Sequence, residues 1–227
     1  MKHLKDIKDW KECINEVVCG DCLEGMKLIP DGAIDLILSD PPYGINYDAQ
    51  QTGRPNIKGF DLIQNDNIEM DFSFLFNRPE IKIMFGAENY YKQLPHSGRW
   101  ICWDKRCTER ADKLLGSAFE LAWISKDSGY YRIYRVQHGG VINANAIKGA
   151  NRKRVHPTEK PIRLMEKILE DFTKEGDLVC DPFMGSWTTA RACKNLGRNF
   201  IGFEIDEDYC TIGEKRLHQE VMDFGLS

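Results

Sequence analysis

Asp40-Pro41-Pro42-Tyr43 follows directly on the apolar run Ile34-Asp35-Leu36-Ile37-Leu38-Ser39. Prolines carry no N–H, so this stretch of backbone offers carbonyl acceptors and few donors. The Asp40 carboxylate adds acceptor capacity, and Tyr43 supplies a flat aromatic face. A strand that ends this way suits a planar ring bearing an exocyclic amino group, whose two N–H donors ask for two acceptors. The same four residues also make an ordinary proline-rich turn, so their meaning depends on what else the chain brings to them.

The C-terminal third holds a second such strand end. Leu178-Val179-Cys180 reads as a short buried strand, followed by Asp181-Pro182-Phe183-Met184-Gly185-Ser186-Trp187-Thr188-Thr189 and a helix. A tight strand–turn–helix containing Gly185 lets backbone approach a ligand and aims helix N–H groups at it. The next strand, 199–204, ends in Gly202-Phe203-Glu204-Ile205-Asp206. An acidic residue there commonly accepts hydrogen bonds from ribose hydroxyls. Glu204 is placed for that, whereas Asp206 suits the start of the following helix. The unit predicts a nucleotide-like ligand; a helix N-terminus without one is the plainer alternative.

The elements that must position these residues alternate along the chain, which predicts an α/β fold with a largely parallel sheet. Strands are expected at 16–19, 34–39, 81–85, 99–103, 119–125, 130–136, 178–180 and 199–204, and helices at 161–175, 188–196 and 206–222. In the first helix Ile162, Met165, Ile168, Leu169 and Phe172 recur at helical spacing, a core stripe. Pro161 suits its first turn and Gly176 its stop. Two stretches read as long loops: 47–67, polar with Gly, Gln and Asn, and 137–157, with Gly139-Gly140, Asn143, Asn145, Gly149 and Asn151. Loops of this length are usually functional or mobile.

At 227 residues the chain suits one α/β domain, and 42% hydrophobic with 29% charged residues is the composition of an ordinary globular protein. No apolar run reaches membrane-helix length, and Met1-Lys2-His3-Leu4-Lys5-Asp6 lacks the apolar core of a signal peptide. A cytoplasmic protein with no membrane partner is expected. Its eight cysteines are then reduced and mostly buried. Cys19-Gly20-Asp21-Cys22 has the CxxC spacing without a second pair, so no metal is expected. Net charge is −4, but residues 126–163 carry +7 and the remainder −11. A basic stretch on an acidic body is what a polyanion-binding face requires, although a solvated loop has the same composition.

Taken in order, Asp40-Pro41-Pro42-Tyr43, His156-Pro157-Thr158-Glu159-Lys160-Pro161, Asp181-Pro182-Phe183-Met184-Gly185-Ser186 with Thr188-Thr189, and Gly202-Phe203-Glu204 resemble the amino-methylating DNA methyltransferases. The match is to the group whose catalytic motif precedes its cofactor motif, and it spans roughly residues 15–220. Gly20-Asp21-Cys22, Asn65-Asp66-Asn67 and Trp103-Asp104-Lys105 fit the same pattern. The resemblance implies a single Rossmann-like methyltransferase domain over 1–227. Its doubly wound, mostly parallel sheet would have seven strands, one of them reversed. It implies S-adenosylmethionine as cofactor and double-stranded DNA as partner, with a homodimer among the assemblies common in the group.

By the same resemblance Asp181, Phe183 and Gly185, with Ser186 and Thr188 beside them, line the cofactor, and Glu204 takes its ribose. Lys160 lies beside that pocket. Asp21 either contacts the cofactor's adenine or is a turn or helix-cap aspartate. Asp40 and the Pro41 carbonyl, with Pro42 completing the turn, would grip the N6 amine of adenine or the N4 amine of cytosine. Tyr43 would stack on that base after it has left the duplex. Asp-Pro-Pro-Tyr leans toward adenine. Loop 137–157 occupies the position of the target-recognition segment, where Lys148, Arg152, Lys153 and Arg154 would meet phosphates and Asn143 and Asn145 base edges. Loop 47–67 would close over the flipped nucleotide, with Tyr47 and Asn67 near it.

Trp187 departs from the pattern, which normally has a second glycine at this position. Either the position needs φ > 0, so that the tryptophan is strained and crowds the cofactor, or the backbone is ordinary and the indole turns outward or packs along the pocket. A different class of reading follows from the first case: a DNA-binding protein with an impaired cofactor pocket.

Overall fold

In the computed structural model, which describes residues 1–42, 70–78, 80–107, 117–126, 131–137 and 159–218, the apolar runs form one nine-stranded sheet. In chain order the strands are β1 (Lys2–His3), β2 (Glu16–Cys19), β3 (Leu36–Ser39), β4 (Ile81–Phe85), β5 (Arg99–Asp104), β6 (Phe119–Ile124), β7 (Arg132–Arg135), β8 (Leu178–Asp181) and β9 (Asn199–Glu204). They lie side by side as β1-β2-β9-β8-β3-β4-β6-β5-β7. All neighbours are parallel except β6, which runs against both β4 and β5. The expected α/β, doubly wound, mostly parallel sheet with one reversed strand is therefore present. Its nine strands exceed the seven that the resemblance implies; edge strand β7 falls within the strand expected at 130–136, whereas edge strand β1 was not expected. With two residues, β1 is too short for its alternation to be read.

Both faces of the sheet are covered, which is why its strands read as continuous apolar runs. Leu36, Leu38, Ile83, Phe85, Val179 and Phe200 face one core; Ile37, Met84, Leu178, Cys180, Ile201 and Phe203 face the other. The first core is closed by α3 (Ile162–Phe172) and α4 (Thr188–Asn195), the second by α1 (Cys22–Leu28) and α2 (Ser73–Phe76). A last helix, α5 (Glu207–His218), follows β9.

Helix α3 buries Leu164, Met165, Ile168 and Leu169. Pro161 is its N-cap rather than a first-turn residue, and its carbonyl accepts from Leu164 N–H at 3.0 Å. The helix ends at Phe172, short of 175, because Thr173 is already extended and both its N–H and hydroxyl bond the Leu169 carbonyl, at 2.9 and 2.6 Å. Gly176 lies in the loop beyond, at φ 86°.

From β3 the chain moves to β4 on one side, and from β8 to β9 on the other. The strand order thus reverses between β3 and β8. Open α/β sheets bind ligands in the crevice at the carboxyl ends of such a pair. All eight cysteines are free thiols, and six are buried. No helix among the described residues is long and apolar enough to cross a membrane. Tyr43, Tyr47, Asn65-Asp66-Asn67, loop 47–67, Asn143, Asn145, Lys148, Arg152, Lys153, Arg154 and His156-Pro157-Thr158 lie outside the described residues, as does all of 137–157 except Gln137.

Candidate active site

Asp40 and Asp181 end up where the reversal of strand order calls for ligand-binding groups, at the carboxyl ends of the paired strands β3 and β8. Asp181 is 3% exposed. It accepts hydrogen bonds from the Ser39 hydroxyl at 2.6 Å, the Thr189 hydroxyl at 2.7 Å and the Phe183 N–H at 3.1 Å. It therefore joins the end of β3 to the start of α4. Burial pushes its carboxyl up from 3.8 to about 6, against the lowering by these three bonds.

The raised value fixes the sign of a pH effect. Between about pH 4 and 6 the folded protein holds a proton on Asp181 that the unfolded chain has lost, so stability falls as pH rises through that window. Above it the ionised, buried carboxylate costs about 3 kcal/mol. Asp181→Asn is expected to remove this dependence. Its urea midpoint relative to wild type is most favourable at pH 7 and drops progressively toward pH 4. A difference that stays constant over that range would show that Asp181 does not titrate there.

The turn after Asp181 approaches β9. Gly185, at φ 48°, donates its N–H to Glu204 Oε2 at 2.7 Å, and Asp206 N–H bonds Glu204 Oε1 at 2.9 Å. Burial raises the Glu204 carboxyl above its ordinary value, and the two N–H donors pull it back only in part. The Ser186 and Thr188 hydroxyls lie 2.9 Å apart. Phe183, half-buried, meets the Phe72 ring edge-on, 6.2 Å between centroids.

Trp187 settles between the two expected alternatives. Its backbone is left-handed, φ 61° and ψ 23°, so the position does require the glycine-like conformation. The indole, however, neither turns outward nor stands in solvent: it is 4% exposed and packed in the core beneath α5. A Cβ built on Gly213 would meet three of its ring carbons at 2.2 Å. Gly213 is what admits the ring. A glycine inside a helix is the sequence signal for such close approach.

Asp40 is held from the opposite side of the crevice. Its Oδ2 forms an ion pair with the Lys160 ammonium, which also lies 3.4 Å from Glu120 Oε2 and 5.3 Å from the centre of the Phe85 ring. Lys105 pairs with the other oxygen of Glu120 and lies over Trp103, 4.9 Å from the ring centre. Burial alone would lower the Lys160 ammonium, but Asp40 and Glu120 more than reverse this and hold it above its ordinary value. Burial likewise works to raise Glu120, and the two lysines hold it low. Glu120 was not singled out in the sequence. The signal was a lone carboxylate in the apolar strand Phe119-Glu120-Leu121-Ala122-Trp123-Ile124.

Of the residues expected at the cofactor, Asp181, Phe183, Gly185, Ser186, Thr188 and Glu204 form one continuous patch from β8 through α4 to β9. Asp21 caps α1, its Oδ1 accepting from Leu23 N–H at 2.8 Å. Lys160 reaches Asp40 instead of that patch. Away from this edge, His3, Cys19 and Glu207 bring potential metal-ligating atoms within 4.8 Å of one another, but Glu207 is exposed.

A doubly wound sheet with carboxylates at its switch point and a glycine turn leading to an acidic strand end defines a Rossmann-like nucleotide-cofactor protein. A family model described as DNA methylase, of the N6/N4 methyltransferases, matches residues 98–215, and the chain belongs to that family. It is 29% identical over 250 residues to the Type II methyltransferase M.HinfI of Haemophilus influenzae, a match covering 91% of this chain and 69% of the relative. Among solved structures, the PvuII DNA methyltransferase (cytosine-N4-specific) superposes with TM-score 0.60 at 17% identity, covering 93% of this chain and 88% of that one. The M1.HpyAVI–SAM complex superposes with TM-score 0.53 at 22% identity, covering 89% and 98%. At these identities the likeness to the solved structures is one of fold.

Proposed function

We propose that this DNA methyltransferase transfers a methyl group from S-adenosylmethionine to the exocyclic N6 amine of adenine in a specific double-stranded DNA sequence. The observation that carries the reading is the Asp40 carboxylate at the end of β3, one strand from the Asp181–Gly185–Glu204 patch. The residues of that patch fit the cofactor. Each Glu204 oxygen uses one lone pair on a backbone N–H and keeps another for a ribose hydroxyl. Asp21, Phe183, Ser186 and Thr188 would complete the contacts.

S-adenosylmethionine, once bound, would supply a sulfonium methyl group to the amine lone pair, with sulfur keeping the electron pair of the broken C–S bond. That lone pair is delocalised into the ring, so the free amine is a poor nucleophile. Asp40 and the Pro41 carbonyl accept its two N–H groups and turn the pair outward, and Pro42 holds the turn. Positioning and fixed acceptors then supply much of the acceleration. The surplus proton on nitrogen leaves to the Asp40 carboxylate or to water. Tyr43 stacks on the flipped base. Within the single domain, segment 137–157 is the target-recognition element. Its Lys148, Arg152, Lys153 and Arg154 neutralise phosphates, in keeping with the local excess of positive charge.

The test is nucleoside analysis of unmethylated duplex DNA incubated with the protein and S-adenosylmethionine. N6-methyladenine is expected. N4-methylcytosine would move the target to cytosine. Salt-sensitive DNA binding with neither product would favour the impaired-pocket reading instead.

A further inference from the structure

Glu120 stands at the catalytic edge because β6 is reversed. Every parallel strand brings its carboxyl end to that edge, whereas β6 brings its first residues there, with Glu120 opposite Trp103 of β5 and Ala122 opposite Phe85 of β4. Lys105 follows the carboxyl end of β5, and Lys160 enters from the residue before Pro161 at the head of α3. Four elements thus contribute to an alternating row of charges, Asp40–Lys160–Glu120–Lys105. Lys160 is 5% exposed, and its charge is balanced by both carboxylates. A buried ammonium with two anionic partners has one low-energy position.

We propose that Lys160 is a positioning residue for Asp40, seated by Glu120, and that it acts on the methyl-transfer step rather than on cofactor affinity. The proposal rests on the reading of Asp40 as the amine acceptor. The Lys160 ammonium pairs with Asp40 Oδ2 and so helps to set the rotation of the carboxylate that would meet the substrate N–H. Without it the carboxylate loses one of the contacts that set its terminal torsion, where rotamer wells are broad. An acceptor displaced by about 1 Å costs on the order of 100-fold in rate. Glu120 acts at one remove by holding the ammonium, and Lys105 does the same for Glu120.

The experiment compares Lys160→Met, Lys160→Arg and Glu120→Gln with wild type in two measurements on the full chain. These are the calorimetric Kd for S-adenosylmethionine and the single-turnover methylation rate at saturating cofactor and DNA. Lys160→Met is expected to slow the step about 100-fold with the cofactor Kd changed less than about threefold. Lys160→Arg, which keeps the cation, recovers about a tenth of the wild-type rate, and Glu120→Gln loses roughly tenfold. A cofactor Kd raised tenfold or more, with the saturated rate intact, would make Lys160 a cofactor ligand and overturn the proposal. Unchanged rates in all three variants would overturn it equally. Should Lys160→Met fail to fold, the arginine and glutamine variants still carry the rate-against-affinity comparison. A wild-type protein that binds cofactor and DNA without methylating would fail the proposed function itself, a result separate from either outcome.

Discussion

Asp40→Asn is expected to slow methyl transfer by about 10²–10³-fold, the cost of losing one fixed transition-state partner, while S-adenosylmethionine still binds. The substitution preserves volume and changes chemistry. In wild type the Lys160 ammonium pairs with Oδ2, and both oxygens of the carboxylate are acceptors. In the variant the ammonium claims the amide oxygen, so the NH₂ group is turned toward the substrate. A donor then faces an N–H donor where an acceptor is needed. As positive charge grows on the methylated nitrogen, the neutral amide offers it no counter-charge. Lys160 keeps Glu120 as a partner, so the fold is destabilised but not emptied of compensation. Single-turnover kinetics beside calorimetry decides the matter. A rate within about threefold of wild type would remove Asp40 from the chemistry.

The second large effect is on stability. Gly213→Ala sets a methyl group against indole carbons at 2.2 Å, so helix α5 and the ring must part. Overpacking of this kind costs about 1–3 kcal/mol. Trp187→Gly supplies the residue that best tolerates this backbone and relieves a left-handed conformation worth about 1–2 kcal/mol. It also removes a buried aromatic ring, at about 3–5 kcal/mol. The ring outweighs the strain, so Trp187→Gly is expected to destabilise by roughly 1–4 kcal/mol. In that background Gly213→Ala has room, and alanine's helix propensity makes it neutral or favourable by up to about 1 kcal/mol. Urea midpoints of the two single variants and the double variant measure the coupling. If Gly213→Ala costs the same in both backgrounds, the two residues do not share that space.

These effects differ in how far they could be seen in advance. The strands, the two acidic strand ends and the glycine turn were legible because each is written locally. A doubly covered strand is a short apolar run, and a strand end is where that run stops. Helix ends were less legible: α3 stops early because the Thr173 hydroxyl and N–H take the Leu169 carbonyl, a competition that periodicity does not register. Trp187 stands out locally as a departure, yet its accommodation depends on a glycine of another helix, Gly213 of α5.

The positions of Asp40, Asp181 and Glu204 at strand ends could be read from the sequence alone, since each closes a local apolar run. The partners of Lys160 could not. Its motif suggested the cofactor, and its partner Glu120 is 40 residues earlier in the chain, on a strand whose reversal no local pattern announces. Charges buried together must be paired, and pairing is decided by which strand ends share an edge. That is a property of sheet order and direction, so only the tertiary structure could set Asp40 against Lys160 and Lys160 against Glu120.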